Sequence, residues 1–279
     1  MAKIVGAINT THVPLIGRAI HQHLEHDPYW KPFFDGFPPV RDWLDKVKPD
    51  IAVMVYNDHG LNFFLDKMPT FAIGAAPEYV SLDEGWGIPT VPSFKGDLDL
   101  SWHMIESLVD DEFDITTCQE MAVDHAFTLP LKLLYPNDSQ WPVRTVPVCI
   151  NTVQFPLPTV NRCYKFGQAI GRAIESWESE ARVVVIGTGG LSHQLDGKRA
   201  GFINKEFDLM FMERLVTDPL WITRFSIEDI VEQTGTQGVE LLNWVIARSA
   251  LQGDVVKLHS NYHIPISNTA AGLMLLESV

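Results

Sequence analysis

The stretch VVVIGTGGLSH, residues 183–193, indicates both the fold class and the position of a functional site. Four consecutive β-branched apolar residues, Val183–Ile186, predict a buried strand. A glycine-rich loop follows and ends at His193. The sequence therefore delivers a titratable side chain just beyond the carboxyl end of a predicted strand.

The same order of strand, polar loop and histidine occurs twice more in the chain. Ile4–Ile8 is followed by His12, and Ile51–Tyr56 is followed by His59. In an open α/β sheet, ligands bind in the crevice outside the carboxyl ends of the strands. A single loop histidine is usually an ordinary surface residue, but three in matching places predict a functional site at one edge of a sheet.

The rest of the chain predicts an alternation of strands and helices. Val143–Ile150 and Val255–His259 have the composition of further strands. Helical spacing occurs in Leu100–Val109, Ala126–Leu134, Val160–Trp177, Asn204–Val216 and Val239–Leu251. With no repeat, low-complexity tract or linker, we expect one α/β catalytic domain over residues 1–279. Its central mixed sheet should be flanked by helices, with the active site at the carboxyl ends of the strands.

One long segment, Phe63–Gly96, is rich in proline and glycine and has no clear hydrophobic period. Irregular segments of this length are often functional, so we expect an excursion over the surface or over the site. Its aromatic residues are Phe63, Phe64, Phe71, Tyr79, Trp86 and Phe94. This content suits the core of an interface with a partner, although packing onto their own domain would also explain these residues.

Composition excludes several classes of protein. The chain has 279 residues, of which 46% are hydrophobic and 20% charged, as in ordinary globular proteins. A net charge of −14 would repel phosphate backbones, which argues against nucleic-acid binding. It would also repel an anionic substrate at long range, so an acid would need local donors. No apolar stretch approaches the roughly 20 residues of a membrane span.

The three cysteines, Cys118, Cys149 and Cys163, have no CxxC spacing. They argue against a disulfide framework or a structural zinc site, and we expect a reducing cytoplasm. The beginning of the chain lacks the basic start and long apolar run of a signal peptide.

A metal site at the predicted sheet edge would need a carboxylate beside the histidines. Two imidazoles and one carboxylate on one face leave three positions of Fe(II) open for substrate and O2. The candidates are Asp58, Asp124, Asp196 and Glu240. Asp58 adjoins His59 and would normally point elsewhere. Glu240 lies in the first turn of a predicted helix that two glycines precede, where either metal binding or the helix dipole would explain it.

Two other patterns are less informative. The glycines of residues 187–190 imitate a dinucleotide fingerprint, but the third glycine is missing, which argues against NAD. His21, His23 and His26 lie in a polar, helix-like stretch, and their spacing does not place all three on one face. We interpret them as solvated residues.

Six segments together resemble a known family. They are NTTHVP at 9–14, YNDHG at 56–60, VDHA at 123–126, GTGGLSHQLDG at 187–197, GVEL at 238–241 and ISNTAAG at 266–272. On these segments the chain resembles the LigB-like class of extradiol dioxygenases, and within it the β subunits of protocatechuate 4,5-dioxygenases. The resemblance extends over nearly the whole chain.

The resemblance implies roles for particular residues. The implied ligands of Fe(II) are His12, His59 and Glu240. His193 is the implied acid–base residue beside the substrate hydroxyl, and His125 a second active-site histidine. The residues implied to line the substrate site are Asn57, Ser267, Asn268 and Thr269.

The resemblance also implies a reaction and a partner. The expected reaction is O2-dependent extradiol cleavage of a catecholic acid, foremost protocatechuate to 4-carboxy-2-hydroxymuconate semialdehyde. Gallate, methylgallate, another catechol or an aminophenol are alternatives. A separate small helical α subunit would complete an assembly of two α and two β chains. The rival hypotheses are a zinc hydrolase built on the same residues and a non-catalytic metal-binding scaffold.

Overall fold

The structure is a computed structural model that describes residues 1–137, 140–266 and 268–279. The strands are β1 (Lys3–Thr10), β2 (Ile51–Tyr56), β3 (Phe71–Gly74), β4 (Glu78–Ser81), β5 (Phe94–Lys95), β6 (Thr116–Cys118), β7 (Ala122–Val123), β8 (Arg144–Ile150), β9 (Arg182–Thr188), β10 (Val255–Ile266) and β11 (Thr269–Ser278). The helices are α1 (Pro14–His21), α2 (Lys31–Phe34), α3 (Pro38–Val47), α4 (Leu98–Asp110), α5 (His125–Leu134), α6 (Val160–Ser176), α7 (Lys205–Thr217), α8 (Ile227–Thr234) and α9 (Leu241–Ala250). Single 3-10 turns span Gly197–Arg199, Trp221–Arg224 and Gly238–Glu240.

An eight-stranded mixed sheet organises the described residues. Its strand order is β10-β11-β1-β9-β2-β8-β3-β6, and a second sheet has the order β5-β4-β7. The four central strands β1, β9, β2 and β8 are mutually parallel, whereas β11 and β3 pair antiparallel on either side of them. The predicted α/β class with a central mixed sheet is therefore confirmed.

Helices cover both faces of this sheet, and the strand composition explains why. Every residue of β2 is buried, as expected for a parallel strand with both faces covered. Ile51, Val53 and Val55 pack into one hydrophobic cluster with α4, α6, α7, α8 and α9. The intervening side chains of β2, those of Ala52 and Tyr56 among them, pack into the other cluster with α1, α2, α3 and α5.

The predicted strands and helices all coincide with observed elements, with differences of a few residues at their ends. Phe63–Gly96 differs in part, because it contains the short strands β3, β4 and β5 within its irregular backbone. These strands have two to four residues, too few for a hydrophobic period to be visible. Strand β11 was not predicted, because its apolar run is buried on both faces and shows no alternation.

The histidine-rich stretch after α1 also differs from the prediction. The helix ends at His21, and His23 adopts a left-handed backbone with φ of 53°. The predicted helical stretch therefore does not continue through His23 and His26. No helix within the described ranges is long and apolar enough to cross a membrane.

Candidate metal centre and active site

Three neighbouring parallel strands bring the predicted histidines to one edge of the sheet. His12 lies two residues after β1, His59 three residues after β2 and His193 five residues after β9. Because β9 pairs with both β1 and β2 in parallel register, their carboxyl ends meet. The three histidines, together with His125 and Glu240, line one cavity of about 270 Å³.

His12, His59 and Glu240 lie next to one another in the wall of this cavity. Glu240 Oε1 lies 3.4 Å from His12 Nε2 and 3.6 Å from His59 Nε2. His12 and Glu240 are buried, and the His59 side chain is 27% exposed. His12 Nε2 is buried without a hydrogen-bond partner. A buried nitrogen of this kind, facing a carboxylate and a second imidazole, fits a metal ligand.

The other ring nitrogen of each ligand candidate is held by a neighbour. His12 Nδ1 lies 3.1 Å from Thr188 Oγ1, and His59 Nδ1 lies 2.9 Å from Asp124 Oδ2. When Nδ1–H donates to a carboxylate, the lone pair of Nε2 is left for a metal. Burial opposes the charged imidazole, but Asp124 and Glu240 outweigh burial and raise the pKa of His59 well above its usual value. A metal ion that binds Nε2 would therefore displace a proton from it.

Glu240 is held as a carboxylate. Its Oε2 accepts the Gly190 N–H at 2.8 Å, and its Oε1 accepts the side-chain amide of Asn57 at 3.2 Å. Burial disfavours the charge, but the neighbouring imidazoles of His12 and His59 outweigh it and hold the pKa of Glu240 well below its usual range. The buried ligand candidate is therefore an anion that two donors orient.

Glycines allow the loop after β9 to pass this close to Glu240. Gly189 has φ of 147°, and a Cβ there would lie 2.7 Å from the Glu240 Cβ. A Cβ at Gly190 would lie 2.7 Å from Thr269 Cγ2. The glycine run that imitates a dinucleotide fingerprint thus serves close packing around a carboxylate.

His125 and His193 complete the histidine group. The ring centroid of His125 lies 4.3 Å from that of His59, and its Nδ1 lies 2.8 Å from Glu84 Oε1. Burial and the charge of His59 lower the pKa of His125. Burial also lowers the pKa of His193, against the attraction of Glu240. Both rings are therefore neutral near pH 7 and able to accept a proton.

Among the described residues, two groups have donor atoms that all lie within 4.8 Å of one another: His12 with His59 and His125, and Glu84 with Asp124 and His125. The predicted set of His12, His59 and Glu240 is a third candidate, in which Glu240 Oε1 lies 3.4 and 3.6 Å from the two imidazoles. Asp124, a carboxylate candidate from the sequence, bonds to the His59 imidazole and also caps α5 through Ala126 N.

The predicted substrate contacts are only partly near the cavity. Asn57 is 1% exposed and bonds to Glu240 and Asn243, so it lies beneath the carboxylate. Thr269 is buried and pairs with His193 through an antiparallel bridge. Asn268 is half-buried in a turn, and Ser267 lies outside the described residues. The described residues that line the cavity do not include Asn57, Asn268 or Thr269. That these three residues contact the substrate stays a prediction.

Three residues at the cavity rim were not assigned to the site from the sequence: Arg18 and Glu84 were not singled out, and Trp86 was named only as a possible interface residue. Arg18 and Trp86 line the cavity, and Arg18 Nε donates to the Trp86 carbonyl at 2.6 Å. Glu84 accepts both the backbone N–H and the imidazole of His125, at 2.7 and 2.8 Å. Glu84 and Trp86 belong to the irregular backbone between β4 and β5, which we call the 82–93 loop. Helical spacing from Pro14 to Arg18 was the one sequence signal available for this rim.

The structure is an α/β fold in which two histidines and one carboxylate lie together at the carboxyl ends of the central strands. Residues 6–274 match the family described as the catalytic LigB subunit of aromatic ring-opening dioxygenase. The chain belongs to this family, which confirms the predicted LigB-like extradiol dioxygenase class.

Curated relatives support the same class. Gallate dioxygenase of Pseudomonas putida is 40% identical over 196 residues, which cover 70% of this chain and 57% of that protein. The chain thus spans little more than half of that relative. A 2,3-dihydroxyphenylpropionate/2,3-dihydroxicinnamic acid 1,2-dioxygenase of Rhodococcus jostii is 32% identical over 323 residues, with 99% of this chain and 98% of that protein covered.

One solved structure is similar in fold. The uncharacterized protein JW3007 from Escherichia coli superposes with a TM-score of 0.53 at 13% identity, covering 99% of this chain and 100% of that one. This likeness concerns the fold alone.

Proposed function

We propose that this chain is an Fe(II)-dependent extradiol dioxygenase that opens the ring of a catecholic acid with O2. The observation that carries the proposal is the group of His12, His59 and Glu240 in the wall of one cavity, with His12 and Glu240 buried. Membership of a family of catalytic ring-opening subunits supports the reaction class.

His12, His59 and Glu240 would hold the metal. Two imidazoles and one carboxylate are the donor set of non-haem ferrous oxygenases, whereas a tetrahedral zinc site would leave fewer open positions. A ferrous ion bound there supplies adjacent open positions at which a catecholate and O2 meet. The alternative third ligand, His125, would leave a buried divalent charge without a directly bound anion, which favours Glu240.

His193 would accept and return the proton of a substrate hydroxyl. A phenolic hydroxyl has a pKa of about 10 and is protonated near pH 7, so chelation through both oxygens needs a base. The imidazole of His193 lines the cavity, its pKa is lowered by burial, and its Nδ1 has no hydrogen-bond partner. It can take the proton from the hydroxyl and return it when the oxygen–oxygen bond breaks. His125, held by Glu84, would hydrogen-bond a substrate oxygen.

Protocatechuate is the proposed substrate, cleaved between carbons 4 and 5 to 4-carboxy-2-hydroxymuconate semialdehyde. Gallate is the second candidate, because the gallate dioxygenase relative is 40% identical over 70% of this chain. Both are ring-hydroxylated benzoates, so they share the carboxylate and differ by one hydroxyl.

The test is anaerobic reconstitution with Fe(II) or Zn(II), followed by O2 uptake with protocatechuate, gallate, catechol and 2-aminophenol. We expect stoichiometric O2 consumption with Fe(II) and one of the two acids, and none with Zn(II). Hydrolytic activity that needs Zn(II), or no O2 uptake with any of these substrates, would contradict the proposal.

We further propose that a separate small helical α subunit covers the cavity mouth, in an assembly of two α and two β chains. Exposed apolar side chains near the mouth support this: Trp86 is 48% exposed, Leu82 48% and Leu195 53%. The aromatic content of the Phe63–Gly96 segment supports it less than expected, since Phe71, Tyr79 and Phe94 pack fully inside the core. An α subunit at this position would exclude water from the site.

The proposed partner is tested by comparing the oligomeric state and activity of this chain purified alone with those of the chain co-expressed with an α chain. A monomeric chain that is as active alone as the pair would contradict the assembly. A reducing cytoplasm is the proposed compartment, in agreement with the three free cysteines, two of them buried.

A further inference from the structure

The wall of the active-site cavity carries a cation that the sequence interpretation did not use. Arg18 is the only lysine or arginine among the described residues that line the cavity. It belongs to α1, which begins at Pro14, two residues after His12. Arg18 is four residues after Pro14, so both project from the same side of the helix, and both line the cavity.

The backbone of the 82–93 loop orients this guanidinium. Arg18 Nε donates to the Trp86 carbonyl at 2.6 Å, which uses one edge of the group. The two terminal amino groups are the part that a carboxylate can bind in a bidentate manner. Among the described residues, no carboxylate forms an ion pair with Arg18.

The cavity lining combines three kinds of side chain. His12, His59 and Glu240 are polar, Val13, Leu15 and Trp86 are apolar, and Arg18 is an exposed cation. A catecholic acid has three corresponding parts, which are two hydroxyls, an aromatic ring and a carboxylate. One cavity of about 270 Å³ therefore offers a partner to each part of such a molecule.

We infer that Arg18 binds the ring carboxylate of the substrate and makes the site selective for catecholic acids over neutral catechols. This inference rests on the proposed function and names the residue that sets its substrate class. It adds a charged contact to the predicted neutral donors, among which Asn57 already bonds to Glu240 and Asn243.

The net charge of the chain explains why a contact between Arg18 and a carboxylate would favour acidic substrates. The chain has a net charge of −14, which disfavours the approach of an anion. A guanidinium on the cavity wall offsets this repulsion locally, and charge-assisted hydrogen bonds are stronger than neutral ones. A neutral catechol gains nothing from this charge, so Arg18 should discriminate between the two classes.

The test compares protocatechuate with its neutral amide, 3,4-dihydroxybenzamide, in Arg18→Gln, Arg18→Lys and wild-type protein. Arg172→Gln is the matched control, because Arg172 is an exposed arginine paired with Asp111. We expect Arg18→Gln to lower the acid-to-amide ratio of kcat/KM by on the order of 10- to 100-fold, mostly through KM of the acid. Arg18→Lys should retain part of the preference, and Arg172→Gln should retain all of it.

Two outcomes would overturn the inference. Equal losses for acid and amide in Arg18→Gln would mean that Arg18 only fixes the 82–93 loop through Trp86. An unchanged ratio in a folded Arg18→Gln protein would remove Arg18 from recognition altogether. If wild-type protein consumes no O2 with either compound, the proposed function fails. Anaerobic calorimetric titration of Fe(II)-loaded protein with the same pair then still decides whether Arg18 binds the carboxylate.

Discussion

The floor of the cavity and its rim are held in different ways. The floor, formed by His12, His59 and Glu240, lies at or beside the ends of adjacent parallel strands, and each side chain has an orienting hydrogen bond. The rim is the 82–93 loop, which has irregular backbone and an exposed Trp86. Its contacts to the site include Glu84 with His125 and the Trp86 carbonyl with Arg18.

This difference separates two tasks. Metal ligands must be preorganised, and rigid elements with supporting hydrogen bonds provide that. Substrate recognition tolerates more variation, and loops on a rigid scaffold commonly carry it. We therefore expect substitutions in the floor to remove metal and activity, and substitutions in the rim to change KM and selectivity.

The largest effect is expected for Glu240→Ala. It removes the single carboxylate of the proposed ligand set and leaves two imidazoles around a buried divalent ion. Activity should fall by about 1000-fold or more, equivalent to about 4 kcal/mol. Colorimetric iron content should fall with it, while the circular dichroism spectrum stays that of the wild type. Stoichiometric iron with normal turnover would show that another residue, such as His125, is the third ligand.

His193→Phe should have the next largest effect and should leave the floor intact. Loss of the acid–base group lowers kcat by roughly 100-fold, while iron content remains stoichiometric. Single-turnover O2 kinetics on the iron-loaded variant would measure this loss. If iron is lost in parallel with activity, His193 belongs to the ligand set and the roles assigned here are wrong.

Asp124→Asn tests the support of the floor. The asparagine is isosteric and can still cap α5, but it no longer offers a charged acceptor to His59 Nδ1. Loss of such a partner weakens metal affinity by about 10- to 100-fold. Competition with a ferrous chelator would measure the affinity. Unchanged affinity would indicate that Asp124 serves α5 alone.

The smallest effect is expected at the rim, for Glu84→Gln. The amide can keep one contact to His125 but cannot accept from both the backbone N–H and the imidazole. A loss of about 1 kcal/mol would raise KM roughly fivefold and leave iron content unchanged. Steady-state kinetics with metal analysis would check both. Loss of iron from the Glu84→Gln protein would show that the rim also supports metal binding, which would contradict the separation of tasks.

The sequence predicted the floor better than the rim, for physical reasons. The strands were visible as buried β-branched runs, and parallel strands deliver their following residues to one edge, so His12, His59 and His193 could be grouped. Glu240 could not be chosen from pattern alone, because a helix dipole explains an acid in a first turn equally well. The family resemblance made that choice, and its ligand roles stay a prediction.

The rim depends on contacts between segments far apart in the chain. Glu84 meets His125 across 41 residues, and Arg18 meets Trp86 across 68. No local period encodes such pairs, since an irregular loop has neither a helical nor a strand repeat. Asn57 illustrates the same limit: it follows β2 as predicted, but its bond to Glu240 joins residues 183 positions apart and has no local pattern.

The short connection from β1 to α1 has a consequence for how such an enzyme can diversify. One continuous peptide of seven residues, His12–Arg18, carries both a proposed metal ligand and the proposed carboxylate contact. The backbone up to Thr11 is hydrogen-bonded to the sheet, whereas residue 18 projects from the helix and lines the cavity. On the proposed function, exchange of that one side chain would change which aromatic compounds the site accepts and would leave the proposed metal ligands unchanged. A small library at position 18, screened on acidic, amide and alkyl catechols, is a direct route to altered degradative specificity.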